Sequence, residues 1–147
     1  MATTVSELAK MIDHSLLHPT MNDVELSSGC ELAKKYHTAS VCIKPYAVKM
    51  AADLLADSDV EVGTVCGFPH GNSPAEIKAA EAQRAVDDGA DEVDMVINIG
   101  KALSGEWDYV RKEVALLNRT VTEGGSILKV IFENDFLNDD QIIKLSE

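Results

Sequence analysis

The sequence predicts an α/β fold in which strands and helices alternate and the strands run parallel. Short apolar runs with strand-like alternation recur along the 147 residues, and helix-like stretches with capping residues separate them. Short connections in such a series favour parallel strands joined by right-handed crossovers. We see no linker or low-complexity tract, and we therefore expect one domain over residues 1–147.

The first half of the chain is expected to contain three strands. Alternation of apolar and polar residues marks the strands, and Asn22 marks the start of the second helix because its side chain can cap free backbone amides. The elements are, in order, helix 5–10, strand 11–17, helix 22–36, strand 39–43, helix 45–56 and strand 60–68.

The second half is expected to add two strands. Ser73 precedes a helical run, Pro74 suits the first turn of that run, and Gly89 suits its end. The elements are, in order, helix 74–88, strand 90–100, helix 107–121, strand 126–133 and a last helix that begins near Asn138.

Five βα units are compatible with two architectures. A closed (β/α)8 barrel typically needs about 200 residues or more, so a barrel of this length would be partial, with roughly three strands missing. A doubly wound open sheet fits the length, but it favours a glycine-rich nucleotide loop after the first strand. The segment Leu17-His18-Pro19-Thr20 at that place is not such a loop. Periodicity and length alone leave both architectures open.

The composition is that of an ordinary soluble globular protein, with 46% hydrophobic and 26% charged residues. No apolar run approaches the roughly 18–20 residues of a membrane span, and the start of the chain lacks the basic and apolar regions of a secretory signal. The net charge of -12 argues against nucleic acid and anionic membrane surfaces as partners. We therefore expect a cytoplasmic protein.

The cysteines and histidines do not form a recognisable metal site. Cys30, Cys42 and Cys66 have no metal-type spacing, and in the cytoplasm they are expected to be reduced thiols. His14 and His18 are spaced as metal ligands on a helix would be, but here a strand and a proline intervene. We expect no metal.

Asp94 is the residue that points most clearly to chemistry. It interrupts a strand in which Val93 and Met95 belong to one apolar row, so its carboxylate lies on the opposite face. Lys129 interrupts the last predicted strand in the same way. In one parallel sheet the two can form a buried acid–amine pair, which suits acid–base or Schiff-base chemistry. A structural ion pair is an equally good interpretation of the same pattern.

Five motifs occur in the order in which they occur in deoxyribose-phosphate aldolases, and the chain resembles that family over nearly its whole length. The motifs are Ile12-Asp13-His14-Ser15-Leu16-Leu17, Ser40-Val41-Cys42-Ile43-Lys44-Pro45, Gly67-Phe68-Pro69-His70-Gly71-Asn72, Gly89-Ala90-Asp91-Glu92-Val93-Asp94-Met95-Val96-Ile97-Asn98 and Leu128-Lys129-Val130-Ile131-Phe132-Glu133. The resemblance implies a TIM barrel of the (β/α)8 type, here a partial barrel of about five βα units. It also implies a class I aldolase without a cofactor, which cleaves 2-deoxyribose 5-phosphate to glyceraldehyde 3-phosphate and acetaldehyde.

The resemblance further implies roles for four residues. Asp94 resembles the aspartate that, with a water, moves the proton to and from the enamine, and Lys129 resembles the lysine beside the reactive centre. Cys42 and Asp13 resemble residues of the substrate pocket. In the family the Schiff-base lysine, a second activating lysine and the phosphate loops belong to the sixth, seventh and eighth strands, beyond the position of Glu147. We therefore expect little or no cleavage by these residues alone.

Three function classes stay open from the sequence. The first is an aldolase that acts on a small phosphorylated sugar or aldehyde. The second is an inactive half-barrel whose open strand edges pair with another copy, and a homo-oligomer is expected. The third is a different lyase or isomerase that uses Lys129 as its amine. Of the other residues near the rim, Lys44 is expected to be a solvated charge and His70 a turn residue.

Overall fold

The computed structural model describes residues 3–147, which form a parallel sheet with helices packed against it. The five strands lie in chain order, and each pairs in parallel with the next. They are β1 Asp13–Leu16, β2 Ser40–Ile43, β3 Glu61–Cys66, β4 Glu92–Val96 and β5 Ile127–Ile131. The α-helices are α1 Val5–Ala9, α2 Asp23–Tyr36, α3 Val48–Leu55, α4 Ala75–Asp87, α5 Ile99–Leu103, α6 Trp107–Glu123 and α7 Asp139–Ser146. Single 3-10 turns cover Pro45–Ala47 and Asn134–Phe136.

The predicted α/β alternation is confirmed, and so are two of the predicted helix ends. The Asn22 side chain accepts hydrogen bonds from the amides of Val24 (3.0 Å) and Glu25 (3.1 Å), which caps α2. Gly89 follows α4 with a φ of 100°, a conformation that glycine adopts without strain. The prediction for Ser73 is wrong, because Pro74 is the N-cap of α4 and no side chain caps that end. Ser73 lies one residue too early for capping.

β4 is shorter than predicted. It ends at Val96, and α5 follows where the prediction continues the strand to Gly100. Asn98 causes the change, because its side chain accepts a hydrogen bond from the amide of Lys101 (3.1 Å) and so caps a helix. The apolar pattern continues past the strand because α5 packs against α6 in a small cluster of its own.

The apolar core lies between the convex face of the sheet and the helices. Strand residues that point to this face are almost completely buried and contact buried side chains of α2, α3 and α6. They are Leu16, Val41, Ile43, Val62, Cys66, Val93 and Met95. The residues between them on the same strands point to the opposite, concave face, and the polar side chains lie on that face. Among residues 3–147, no helix has both the length and the apolar character needed to cross a membrane.

The sheet is strongly curled, as in a barrel. In a flat sheet β1 and β5 would be about 19 Å apart, since neighbouring strands are about 4.8 Å apart. A lysine side chain cannot cross that distance, yet Nζ of Lys129 on β5 lies 2.9 Å from Oδ2 of Asp13 on β1. The two outer strands therefore face each other across a concave surface, which favours a partial barrel over an open flat sheet.

Candidate functional site

The concave face of the sheet carries a row of polar residues because neighbouring strands are in register. Asp94 on β4 lies beside Lys129 on β5. Cys42 on β2 lies beside Gly63 on β3, and Gly63 lies beside Glu92 on β4. A Cβ atom at Gly63 would lie 3.5 Å from Oε2 of Glu92, which is an ordinary van der Waals distance, so the carboxylate lies directly beside this position.

The Lys129 ammonium lies at the centre of this face. Its Nζ is 2.9 Å from Oδ2 of Asp13, 2.9 Å from Oε2 of Glu92 and 3.2 Å from Oδ1 of Asp94. Burial alone would lower the pKa of Lys129, but the three neighbouring carboxylates outweigh burial and raise it. Lys129 is therefore protonated at neutral pH, and a protonated amine is not a nucleophile.

The ionisation of Asp94 is governed by its burial. Its side chain is 16% exposed, and burial raises its pKa above that of an ordinary aspartate. The Lys129 charge lowers the same pKa but does not cancel the effect of burial. The other carboxylate oxygen, Oδ2, lies 3.9 Å from Sγ of Cys42. A carboxyl with a raised pKa keeps its proton to a higher pH than an ordinary aspartate does.

Asp13 behaves in the opposite way. The hydrogen bond from Lys129 lowers its pKa, and the hydroxyl of Ser40 also donates to its Oδ1 at 2.7 Å. Asp13 is therefore a stable anion on the opposite side of the concave face. Because it holds the end of the Lys129 side chain, it orients the ammonium toward Asp94 and Glu92.

Cys42 is a neutral thiol beside the carboxylates. Burial raises its pKa to about 12, and the negative charge of Asp94 contributes in the same direction. A thiolate is the nucleophilic form of cysteine, so this residue does not supply a nucleophile at neutral pH. Its position beside Asp94 makes it part of the wall of the site.

The structure brings together all four residues that the sequence singled out. The proximity of Asp94 and Lys129 is confirmed, and Cys42 and Asp13 lie in the same cluster, while the functional roles of the four stay predictions. Glu92 is a member that the sequence analysis missed. It lies two residues before Asp94 on the same strand, so the period-two pattern that selects Asp94 also points to it.

Two residues near the rim were assigned lesser roles from the sequence. The prediction that Lys44 is a solvated charge is wrong, since the side chain is half-buried. Its Nζ donates to the backbone oxygens of Met21 (2.7 Å) and Pro19 (3.3 Å) and so holds the loop after β1. His70 is exposed in the loop after β3. Within residues 3–147, no group of histidine, cysteine, aspartate and glutamate side chains is arranged to hold a metal ion.

Known proteins that are similar to this chain are aldolases. The family model described as DeoC/LacD family aldolase matches residues 7–136. A deoxyribose-phosphate aldolase of Rhodopirellula baltica is 48% identical over 141 residues, which make up 96% of this chain and 58% of that protein.

Two solved structures resemble the fold closely. The aldolase QR15 has a TM-score of 0.89 at 33% identity, over 94% of this chain and 61% of that one. The deoxyribose phosphate aldolase of Aeropyrum pernix, described as having a unique tetrameric structure, has a TM-score of 0.86 at 28% identity, over 95% of this chain and 58% of that one. This chain therefore spans less than two thirds of the length of each relative.

Proposed function

The chain belongs to the DeoC/LacD aldolase family, and on that premise we propose that the protein cleaves 2-deoxyribose 5-phosphate to glyceraldehyde 3-phosphate and acetaldehyde. The observation that carries the proposal is the cluster on the concave face, where the Asp94 carboxyl lies 3.2 Å from a lysine that stays charged. Because the chain covers only part of its relatives, the activity is proposed for the whole protein rather than for these residues alone.

Aldol cleavage through a Schiff base needs an amine and an acid–base group. The amine condenses with C1 of the sugar to form an iminium ion, and the base removes the proton of the 3-hydroxyl. The bond between C2 and C3 then breaks, the new aldehyde leaves, and the electron pair moves toward the iminium nitrogen to give an enamine. Protonation of C2 and hydrolysis of the resulting imine release acetaldehyde and restore the amine.

We assign the acid–base role to Asp94. Burial supports this assignment because it raises the pKa of the carboxyl toward the working pH, where acid–base catalysis is most efficient. The carboxylate form would take the proton of the 3-hydroxyl, directly or through a water, and the resulting acid would return a proton to C2.

We assign an electrostatic role to Lys129. Its raised pKa keeps it charged, so it stabilises the Asp94 carboxylate and does not serve as the imine-forming amine. This weighs against the alternative lyase or isomerase in which Lys129 is the amine. The amine of the proposed reaction is another lysine of the protein. Asp13 and Cys42 would then shape the pocket around the reacting carbons.

We also propose that the protein acts in the cytoplasm as a homo-oligomer. The tetrameric relative from Aeropyrum pernix supports the second part of this proposal. Light scattering of the purified protein would test the oligomeric state, and a monodisperse monomer at micromolar concentration would exclude the homo-oligomer.

The aldolase activity is tested with protein expressed from the whole native reading frame. We expect acetaldehyde release from 2-deoxyribose 5-phosphate, and we expect Asp94→Asn to lower kcat by about 100-fold or more. Cys30→Ser, a substitution in the core away from the concave face, is the control and should retain most of the activity.

Borohydride trapping followed by peptide mapping identifies the amine. A reduced adduct on a lysine other than Lys129 is the expected result. An adduct on Lys129 itself would favour the alternative enzyme, and a protein that releases no acetaldehyde would overturn the proposal.

A further inference from the structure

A second buried ion pair lies outside the concave face, between α4 and α6. Nζ of Lys78 is 2.8 Å from Oε1 of Glu113, and both side chains are fully buried. Replacing such a pair by apolar side chains of similar size is often neutral or stabilising, because both charges must first be removed from water. Its contribution to folding is therefore a weak reason for its presence.

The partners of the pair lie on one short backbone segment. Lys78 donates to the backbone oxygen of Val96 at 2.8 Å, and Glu113 accepts a hydrogen bond from the amide of Asn98 at 2.9 Å. Asn98 in turn caps α5 through its side chain. The segment 96–98 begins two residues after Asp94, at the end of the strand that carries the acid.

The loop after β3 closes on the same segment. A Cβ atom at Gly71 would lie 1.8 Å from the backbone oxygen of Ile97, so only a glycine allows this approach. The aliphatic part of Lys78 packs on Gly67, where a Cβ atom would lie 2.8 Å from Cδ of the lysine. A helix from each side and a tight loop thus converge on the end of β4.

We infer that Lys78 and Glu113 are positioning residues that fix the end of β4 and thereby hold the Asp94 carboxyl at its distance from Lys129. The inference rests on the proposed function for its role in catalysis. The pair acts on backbone groups that a hydrophobic pair could not bind. Without these contacts the backbone of 96–98 loses two hydrogen-bond partners, and the position of the Asp94 carboxyl relative to its neighbours Lys129, Glu92, Asp13 and Cys42 becomes less defined.

The test uses two measurements on the protein that need no substrate. The first is amide hydrogen exchange at Ile97 and Asn98. The second is titration of the Asp94 carboxyl by carbon NMR, with its signal assigned by its loss in Asp94→Asn. The variant is Lys78→Met combined with Glu113→Leu, which keeps the volume and removes both charges. We expect exchange at Asn98 to become at least about 10-fold faster and the Asp94 pKa to shift by about half a unit or more.

A control separates positioning from general loss of stability. Leu55→Ala opens a cavity in the core on α3, a helix that carries neither residue of the pair, and it should leave the Asp94 titration unchanged. Should the double variant not fold, Glu113→Gln replaces it, because it keeps an oxygen for the Asn98 amide while its amide group opposes the Lys78 ammonium. The Asp94 titration is expected to shift in this variant as well, while the Asn98 amide keeps its acceptor.

Three results would overturn the inference. They are rapid exchange of the Asn98 amide in the unmodified protein, an unchanged Asp94 titration in a folded variant, and an equal change in Leu55→Ala. Failure of the proposed function is separate. If the two measurements change as expected but the protein does not cleave 2-deoxyribose 5-phosphate, the positioning role stands and the aldolase assignment is lost.

Discussion

Lys129→Met tests the electrostatic account of the site directly. The substitution removes an ammonium that lies within 3.2 Å of three carboxylates while keeping most of the aliphatic volume. Removing one partner of a fully buried ion pair costs about 3–5 kcal/mol, and an exposed pair contributes about 0.2–1 kcal/mol. The Lys129 side chain is 34% exposed, so solvent screening places the expected loss between these limits, at about 2 kcal/mol at neutral pH.

The sign of the pH dependence follows from the pKa shifts. Asp13 has a lowered pKa in the folded chain, so its contribution to stability is present above its ordinary pKa and is lost as the pH falls through the lowered value. Lys129 has a raised pKa, so its contribution is present below its ordinary pKa and is lost only as the pH rises through the raised value. Both contributions depend on the same ion pair. The loss in free energy of unfolding caused by Lys129→Met is therefore largest at neutral pH and becomes smaller as the carboxylates are protonated.

Asp94 adds to the same trend. Its pKa is already raised in the folded chain, and loss of the Lys129 charge, which lowers it, raises it further. When a carboxyl has a higher pKa in the folded than in the unfolded protein, the protein loses stability as the pH rises from the unfolded pKa to the folded pKa. The free energy of unfolding of Lys129→Met should thus fall more steeply than that of the unmodified protein between acid and neutral pH.

Urea denaturation at several pH values measures the effect. At neutral pH we expect a midpoint shift equivalent to about 2 kcal/mol, or a fall in Tm of about 4–8 °C for a chain of this size. Lys49→Met is the control, because Lys49 pairs with Asp53 on the exposed surface of α3 and should cost less than about 0.5 kcal/mol. Equal stability of Lys129→Met and the unmodified protein at neutral pH, or a deficit that grows on acidification, would refute the account.

Three further predictions concern other parts of the fold. Cys42, whose pKa is raised to about 12, should react with iodoacetamide at pH 8 far more slowly in the folded than in the urea-unfolded protein, and equal rates by mass spectrometry would contradict its burial. Gly71→Ala should cost about 3 kcal/mol or more in urea denaturation, because its Cβ would collide with Ile97, whereas Gly105→Ala, also at positive φ but with open space around it, should cost about 1 kcal/mol. The 147-residue chain should self-associate through β1 and β5, the outer strands of its sheet, and a monodisperse species of monomer mass that binds no hydrophobic dye would contradict this.

The sequence predicts those parts of the site that depend on neighbouring strands. Asp94 and Lys129 are predictable because a period of two assigns each to a face and parallel pairing brings adjacent polar rows together. The contact between Lys129 and Asp13 is not predictable in this way, because it depends on how far the whole sheet curls. Glu92 could have been found from the same period of two, since it precedes Asp94 by two residues.

Helical positions were harder to interpret than strand positions. On α4 the chain buries Lys78 completely and leaves the neighbouring Ile77 57% exposed, which is the reverse of what side-chain polarity predicts. Tertiary contacts decide this case, because the lysine meets Glu113 and a backbone oxygen in the interior. The pattern of polar and apolar residues along one helix does not show which residue of another helix a side chain will contact. The ion pair of Lys78 and Glu113 could therefore not be predicted from the sequence.

The charge balance of the concave face bears on which steps of the proposed reaction it can assist. Three carboxylates, Asp13, Glu92 and Asp94, surround the Lys129 ammonium, so the cluster is negative when all are ionised. A negative cluster stabilises a cationic iminium ion beside it and disfavours a phosphate there. In the proposed reaction, the phosphate of the sugar would then be held by other groups, away from the cluster. Under the proposed function, we therefore expect this face to favour the iminium intermediate and the sugar to bind with its phosphate pointing outward.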